Sequence, residues 1–172
     1  MLIKQYSTID STLLLAKKIK PKPWTVIVAL EQENGYGRKG GVWYSPRGGL
    51  YMTIVLPNIE IKNCQILTFL AALAVAEVIK DDFKIEPFIK LPNDIWVQGK
   101  KIAGILTENI ISSGKIKFSI IGIGLNTNIK KFPSNLKKQA TSLEIVLNKK
   151  INNINLLKKI VNKLQKSLDA LK

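Results

Sequence analysis

The sequence predicts an α+β domain built on a mixed, largely antiparallel sheet flanked by helices. Three observations carry that prediction. A chain of 172 residues, 46% hydrophobic and 23% charged, has the composition of one globular domain with a full core. Between residues 95 and 125 three β-rich runs follow one another across short turns, as in an antiparallel meander. Helical periodicity falls outside that run, at 13–19, 64–80 and 152–171, so helices are expected on one side of a sheet.

The elements follow in order. Ile3–Tyr6 alternates weakly and reads as a short strand. Asp10, Ser11 and Thr12 are cap-type residues that start a helix over Leu13–Ile19, which ends before Pro21. Trp24–Leu30 is a β-branched run between turn signals, the mark of a buried strand. Residues 33–49 hold six of the eleven glycines together with Pro46, too broken for a helix. Leu50–Leu56 resumes as a strand and stops at Pro57-Asn58. Residues 64–80 are apolar on most faces and rich in alanine, a helix packed against the sheet. Phe88–Leu91 reads as a strand halted by Pro92-Asn93-Asp94, and Ile95–Gln98, Ile102–Asn109 and Ile116–Leu125 form a meander, with turns at Gly99-Lys100 and Ser112-Ser113-Gly114. A polar loop over 126–138 and a short element at Ser142–Leu147 lead to the last helix.

Composition excludes several function classes. The sequence has no histidine and one cysteine, Cys64, which removes imidazole-dependent triads, Cys/His metal clusters and internal disulfides. The longest apolar run, Ile66–Ala76, is shorter than the ~20 residues of a membrane span. No targeting segment is visible, so a cytoplasmic protein without a membrane partner is expected. The formal charge is +15, and residues 130–172 hold eleven lysines against Glu144 and Asp169. Net charge alone suggests a nucleic-acid binder. Lysines interleaved with Leu156, Leu157, Ile160, Val161, Leu164 and Leu168 instead describe a solvated helix face, and no nucleic-acid partner is expected.

The two arginines, Arg38 and Arg47, both lie in the glycine-rich segment of a chain with 25 lysines. Guanidinium presents a planar fork suited to phosphate. Gly35-Tyr36-Gly37-Arg38-Lys39-Gly40 fits the G-x-G-x-x-G string of dinucleotide folds, but Gly41, Pro46, Gly48 and Gly49 follow where a helix should open. What remains is a loop of exposed backbone amides bearing Arg38 and Lys39 and followed by Trp43, an anion nest beside an aromatic face. Gly104, in a strand, and Gly122 and Gly124, at a strand end, permit close approach of backbone or ligand.

In this order, Gln32, GYGRKGGVWYSPRGGLY, KLPNDIWVQGKKIAGILTE, GIGLNTN and ATSL resemble the biotin protein ligase family over most of residues 7–145. The resemblance implies the fold shared with class II aminoacyl-tRNA synthetases and a single catalytic domain over 1–172. It also implies neither the N-terminal DNA-binding domain of some relatives nor the small SH3-like C-terminal domain of most. The implied activity uses ATP and Mg²⁺ to convert biotin to biotinyl-5′-AMP. The biotinyl group then passes to a lysine of a biotin carboxyl carrier protein or domain. By position, Ser11, Thr12, Leu13, Gln32, Tyr36, Gly37, Arg38 and Lys90 correspond to the biotin site. Arg38, Lys39, Trp43 and Asn126 correspond to the ATP and adenylate site, and no metal ligands are implied. Arg38 and Lys90 are the expected catalytic pair, and Asp94 is expected to orient the turn or the incoming amine. The family often has asparagine at Leu13, arginine at Tyr36 and Gly41, and tryptophan at Leu91; Lys39 and Arg47 are the cations left to compensate. A non-catalytic biotin- or carrier-binding module and a lipoate-type ligase are the alternatives. An exposed sheet edge would suit a homodimer.

Overall fold

The computed structural model describes residues 1–57 and 64–171. Among the described residues seven strands form one sheet in the order β1-β2-β3-β7-β6-β5-β4. Strand β1 (Leu2–Ile9) leads through α1 (Thr12–Ile19) to β2 (Thr25–Gln32), and the two strands pair in parallel. The remaining pairings are antiparallel: β2 with β3 (Leu50–Val55), β3 with β7 (Lys115–Leu125), and then the meander of β4 (Phe88–Lys90), β5 (Asp94–Val97), β6 (Lys100–Ser112) and β7. The mixed, largely antiparallel sheet is as the sequence predicts.

The helices correct one expectation, because they lie on both faces of the sheet. α2 (Cys64–Phe83) and α4 (Asn153–Asp169) cover one face, where Leu67, Val75, Ile160 and Leu164 pack with Val26, Val28, Met52 and Ile54. α1 covers the other, with Leu13 and Ala16 against Ile27, Val55 and Ile120. Strand alternation produces this split, since Val26 and Val28 point one way and Ile27 the other. β3 is buried at every position, as a central strand covered on both sides must be. α2 is apolar on most faces because it packs against both the sheet and α4. α4 buries its apolar stripe and turns its lysines outward, where Lys159 meets Asp82 at 2.7 Å and Lys163 meets Glu77 at 3.0 Å. A short helix, α3 (Leu143–Leu147), is capped by Ser142, whose hydroxyl accepts from Ile145 N.

β1 and β6 run well past their expected bounds. β1 extends over eight residues with most side chains half-exposed or exposed, so hydrophobic alternation marks it poorly. Its backbone is held by the register with β2, which a local reading does not see. α2 likewise continues through Asp81, Asp82 and Phe83. Asn58, read as part of a turn, lies outside the described residues.

Candidate active site

Glycines clear the floor of the site. On the α1 side of the sheet, Gly104 of β6 and Gly124 of β7 are directly paired, and Gly122 pairs with Thr53 of β3. A β-carbon on Gly122 would lie 2.7 Å from Leu13 Cδ1, and one on Gly124 would lie 2.3 Å from Trp43 Nε1. The absence of side chains here lets α1 and the glycine-rich loop settle onto the strands. A cavity of about 410 Å³ lies between them.

One end of this cavity is built from α1 and β2. Ser11 is the N-cap residue of α1, but its side chain makes no capping hydrogen bond. Gln32 does that work from the end of β2: its Oε1 accepts from Thr12 N at 2.8 Å and from Thr12 Oγ1 at 3.0 Å. Gln32 Nε2 donates to Ser45 Oγ at 3.0 Å, and Thr53 Oγ1 donates to Thr12 Oγ1 at 2.9 Å. This buried lattice of hydroxyls and an amide fixes polar groups along a wall that Leu13 and Leu106 keep apolar. Gly35 is required beside it, because a β-carbon would stand 2.5 Å from Ser45 Oγ and 2.8 Å from Trp43 O.

The loop forms the roof. Tyr36 and Val42 bridge, Gly37 N donates to Gly41 O at 2.7 Å, and Trp43 N donates to Gly35 O at 2.8 Å. Between these rungs Arg38–Gly40 makes a single 3-10 turn, with Lys39 at φ 56°. Arg38 Nη1 donates to Asn93 Oδ1 at 3.2 Å. Asn93 is in turn held by Ile105, whose N donates to Asn93 O at 2.9 Å and whose O accepts from Asn93 Nδ2 at 3.2 Å. The roof is therefore tied to the turn between β4 and β5.

A second cavity of about 280 Å³ shares Val42, Trp43, Asp94 and Lys101 with the first. Trp96, Asn126, Phe132 and Leu136 are among its other lining residues. Trp43 thus stands at the junction, with Lys101 Nζ 5.3 Å from its ring centroid. Lys101 also pairs with Asp94 at 2.8 Å. The junction has one fixed cation, an aromatic face and, on the roof above it, the guanidinium of Arg38.

Most of the expected site residues come together here. Ser11, Thr12, Leu13, Gln32, Tyr36, Gly37, Arg38, Lys39 and Trp43 line the first cavity, and Asn126 lines the second. Asn126 is buried, with its Nδ2 donating to Thr141 O at 3.0 Å. Lys90 stands apart. It lies exposed on the edge strand β4, with its Nζ 4.4 Å from the Trp96 ring centroid, and lines neither cavity. Arg47 is also outside, pairing with Glu31 at 3.4 Å and donating to Ser7 Oγ at 2.9 Å. Sequence reasoning missed Lys101, which faces both cavities, and the parts played by Thr53, Asn93 and Phe132. The adjacency of Lys101 to the Ile-Ala-Gly strand was the available signal.

Comparison with known proteins agrees with this fold. The profile of the biotin/lipoate A/B protein ligase family matches residues 4–126. The bifunctional ligase/repressor BirA of Bacillus subtilis is 40% identical over 141 residues, covering 80% of this chain and 43% of that protein. The biotin–[acetyl-CoA-carboxylase] ligase of Paracoccus denitrificans is 35% identical over 131 residues, 73% of this chain and 53% of the relative. The chain therefore spans about half or less of the length of these curated relatives. The structure of biotin protein ligase from Aquifex aeolicus in complex with biotin and ATP superposes with a TM-score of 0.91 at 31% identity, over 99% of this chain and 72% of that one. With its fold, its cleft and its sequence all pointing the same way, the chain belongs to the biotin/lipoate A/B protein ligase family.

Proposed function

We propose that this chain is the catalytic domain of a biotin protein ligase. It would activate biotin with ATP and transfer the biotinyl group to a lysine of a carboxylase's carrier protein or domain. The observation that carries the reading is the two-part cleft with cations at its junction. An acyl-adenylate has the matching form: a ring and aliphatic chain, an anionic phosphate in the middle, and a flat base. The Thr12–Gln32 end offers fixed polar groups beside Leu13 for the ureido ring and chain. The cavity beyond Trp43 offers aromatic and apolar walls for the base.

The chemistry suits a chain without histidine. The biotin carboxylate is already anionic and needs no general base. One carboxylate oxygen attacks the α-phosphorus, the bond to the β,γ-phosphates breaks, and pyrophosphate leaves with the electron pair. The protein's task is orientation and charge neutralisation. We assign that task to Arg38 and Lys101, with Lys101 replacing Lys90 in the expected pair. In the second step the neutral ε-amine of the acceptor attacks the acyl carbon, AMP leaves, and the amine loses a proton. Mg²⁺ would arrive with the nucleotide; among the described residues no group of three or more Asp, Glu or Cys side chains is arranged to hold a metal.

The test is incubation with biotin, ATP, Mg²⁺ and a biotin carboxyl carrier domain. Biotin on one acceptor lysine, with AMP and pyrophosphate released in equal amounts, supports the reading. Biotin binding without turnover points to a non-catalytic module.

A further inference from the structure

Outside both cavities, two asparagines join three segments of the chain. Asn128 stands just past β7 and Asn153 opens α4, and both are half-buried. Asn128 meets Ile151 as one strand meets another: Ile151 N donates to Asn128 Oδ1 at 2.7 Å, and Asn128 Nδ2 donates to Ile151 O at 3.0 Å. A backbone N–H only donates and a carbonyl only accepts, so this pair fixes which way the Asn128 amide faces. Asn128 Nδ2 also donates to Asn153 Oδ1 at 3.3 Å. That contact turns Asn153 Nδ2 to Gly48 O at 3.2 Å and Gly49 O at 3.0 Å.

The three segments meet at Gly48. Its carbonyl also accepts from Thr127 Oγ1 at 2.6 Å and from Asn128 N at 3.0 Å. Gly48 stands at φ 111°, and a β-carbon there would lie 2.5 Å from Asn128 O, so glycine is what lets the segments come this close. These bonds hold the two residues that follow Asn126. Asn126 itself commits one amide hydrogen to Thr141 O at 3.0 Å, while its N donates to Ile102 O at 2.9 Å. Its Oδ1 and second amide hydrogen are left for a ligand in the second cavity. Gly48, Thr127, Asn128, Ile151 and Asn153 line neither cavity.

We propose that Asn128 and Asn153 are positioning residues for the nucleotide: by fixing the chain next to Asn126 they aim its amide at the base. The inference rests on the ligase reading, which puts the adenine in that cavity. Both ends of the amide chain are backbone of fixed polarity. Asn153→Asp therefore sets a carboxylate oxygen against the Gly48 and Gly49 carbonyls, and Asn128→Asp sets one against Ile151 O, each at nearly unchanged volume. The Thr12–Gln32 end shares no printed bond partner with this network, so the effect belongs to the nucleotide and not to biotin.

Asn128→Asp, Asn153→Asp and the milder Asn153→Ala test it in the full chain, with thermal unfolding as the check on folding. ATP and biotin KM values come from biotin-dependent ATP–pyrophosphate exchange. Each aspartate should raise the ATP KM about tenfold, with the biotin KM within about twofold of wild type and kcat at saturating ATP unchanged. Asn153→Ala removes the donor without adding repulsion and should raise the ATP KM less. In an Asn126→Ala background, Asn153→Asp should add little, because the residue it aims is gone. An unchanged ATP KM in folded variants overturns the proposal. So do ATP and biotin KM values that rise together, or a full additional loss in the Asn126→Ala background. Failure of all three variants to fold also overturns it, because the amides then hold the fold and not the aim of Asn126. A wild type without ATP-dependent activity overturns the ligase reading itself, whereas an active wild type with indifferent variants overturns this inference alone.

Discussion

Arg38 lines the first cavity from the roof loop and Lys101 lines both from β6, and residues where β4 turns into β5 hold each of them. Asn93 meets the guanidinium and Asp94 meets the ammonium. If they neutralise the α-phosphate, Arg38→Ala and Lys101→Ala each lower biotin-dependent ATP–pyrophosphate exchange about 10²-fold or more, since one aligned donor at a developing charge contributes on that order. Lys90→Ala changes the same rate by no more than about twofold, because its side chain lies over Trp96 outside both cavities. Equal losses at Lys90 and Lys101 would return the role to the edge strand. A second residue-scale prediction concerns the floor. Gly124→Ala puts a methyl group 2.3 Å from Trp43 Nε1, so the indole must move and the ATP KM rises well beyond the biotin KM. Titrating each substrate separately checks this.

Among the elements, those with strong local signals were legible in the sequence. The TVIVAL part of WTVIVAL is a strand because its β-branched residues fill a layer covered on both sides, while Trp24 stands before it at φ 59°, and the α2 and α4 segments carry periods long enough to read. β1 was less legible because LIKQYSTI owes its conformation to parallel pairing with Thr25–Gln32. The side on which α1 packs follows from a crossover, not from its own amphipathicity. The site divided along the same line. Arg38 and Trp43 were legible because glycines and aromatics concentrate around them. Lys101 was not separable from Lys90, because what places it is contact with distant residues: Lys101 N donates to Gln139 O at 2.8 Å and Thr141 N donates to Lys101 O at 3.0 Å.

β3 yields a prediction at the element scale. Tyr51 is buried with its hydroxyl donating to Pro46 O at 2.7 Å, and burial holds its pKa far above the ordinary value of 10.0. A folded-state pKa raised above the unfolded one gives stability that is complete below about pH 10 and is lost as pH rises beyond it. Urea midpoints should therefore fall above about pH 10, and Tyr51→Phe should flatten that fall while costing about 1 kcal/mol at neutral pH.

Across the whole molecule, charge and cleft separate. The positive potential of a +15 chain comes mainly from lysines on outer faces, including α4, where Lys159 and Lys163 are paired with α2 carboxylates. Any attraction to duplex DNA is then diffuse and should fall steeply between low and physiological salt. If biotin binds as proposed, with its uncharged ring end against Thr12 and Gln32, it should keep most of its affinity over the same range. Fluorescence anisotropy and calorimetry at matched salt distinguish the two. Among the described residues no helix is long and apolar enough to cross a membrane.

Where an acyl-adenylate would sit is measured directly by a crystal structure of the full chain with biotinyl-5′-AMP. The ureido ring should lie against Thr12 and Gln32, the phosphate between Arg38 and Lys101, and the adenine beyond Trp43 beside Asn126. Density for the ligand at Lys90 on the sheet edge, or elsewhere with loop 35–43 turned away from it, would contradict the assignment.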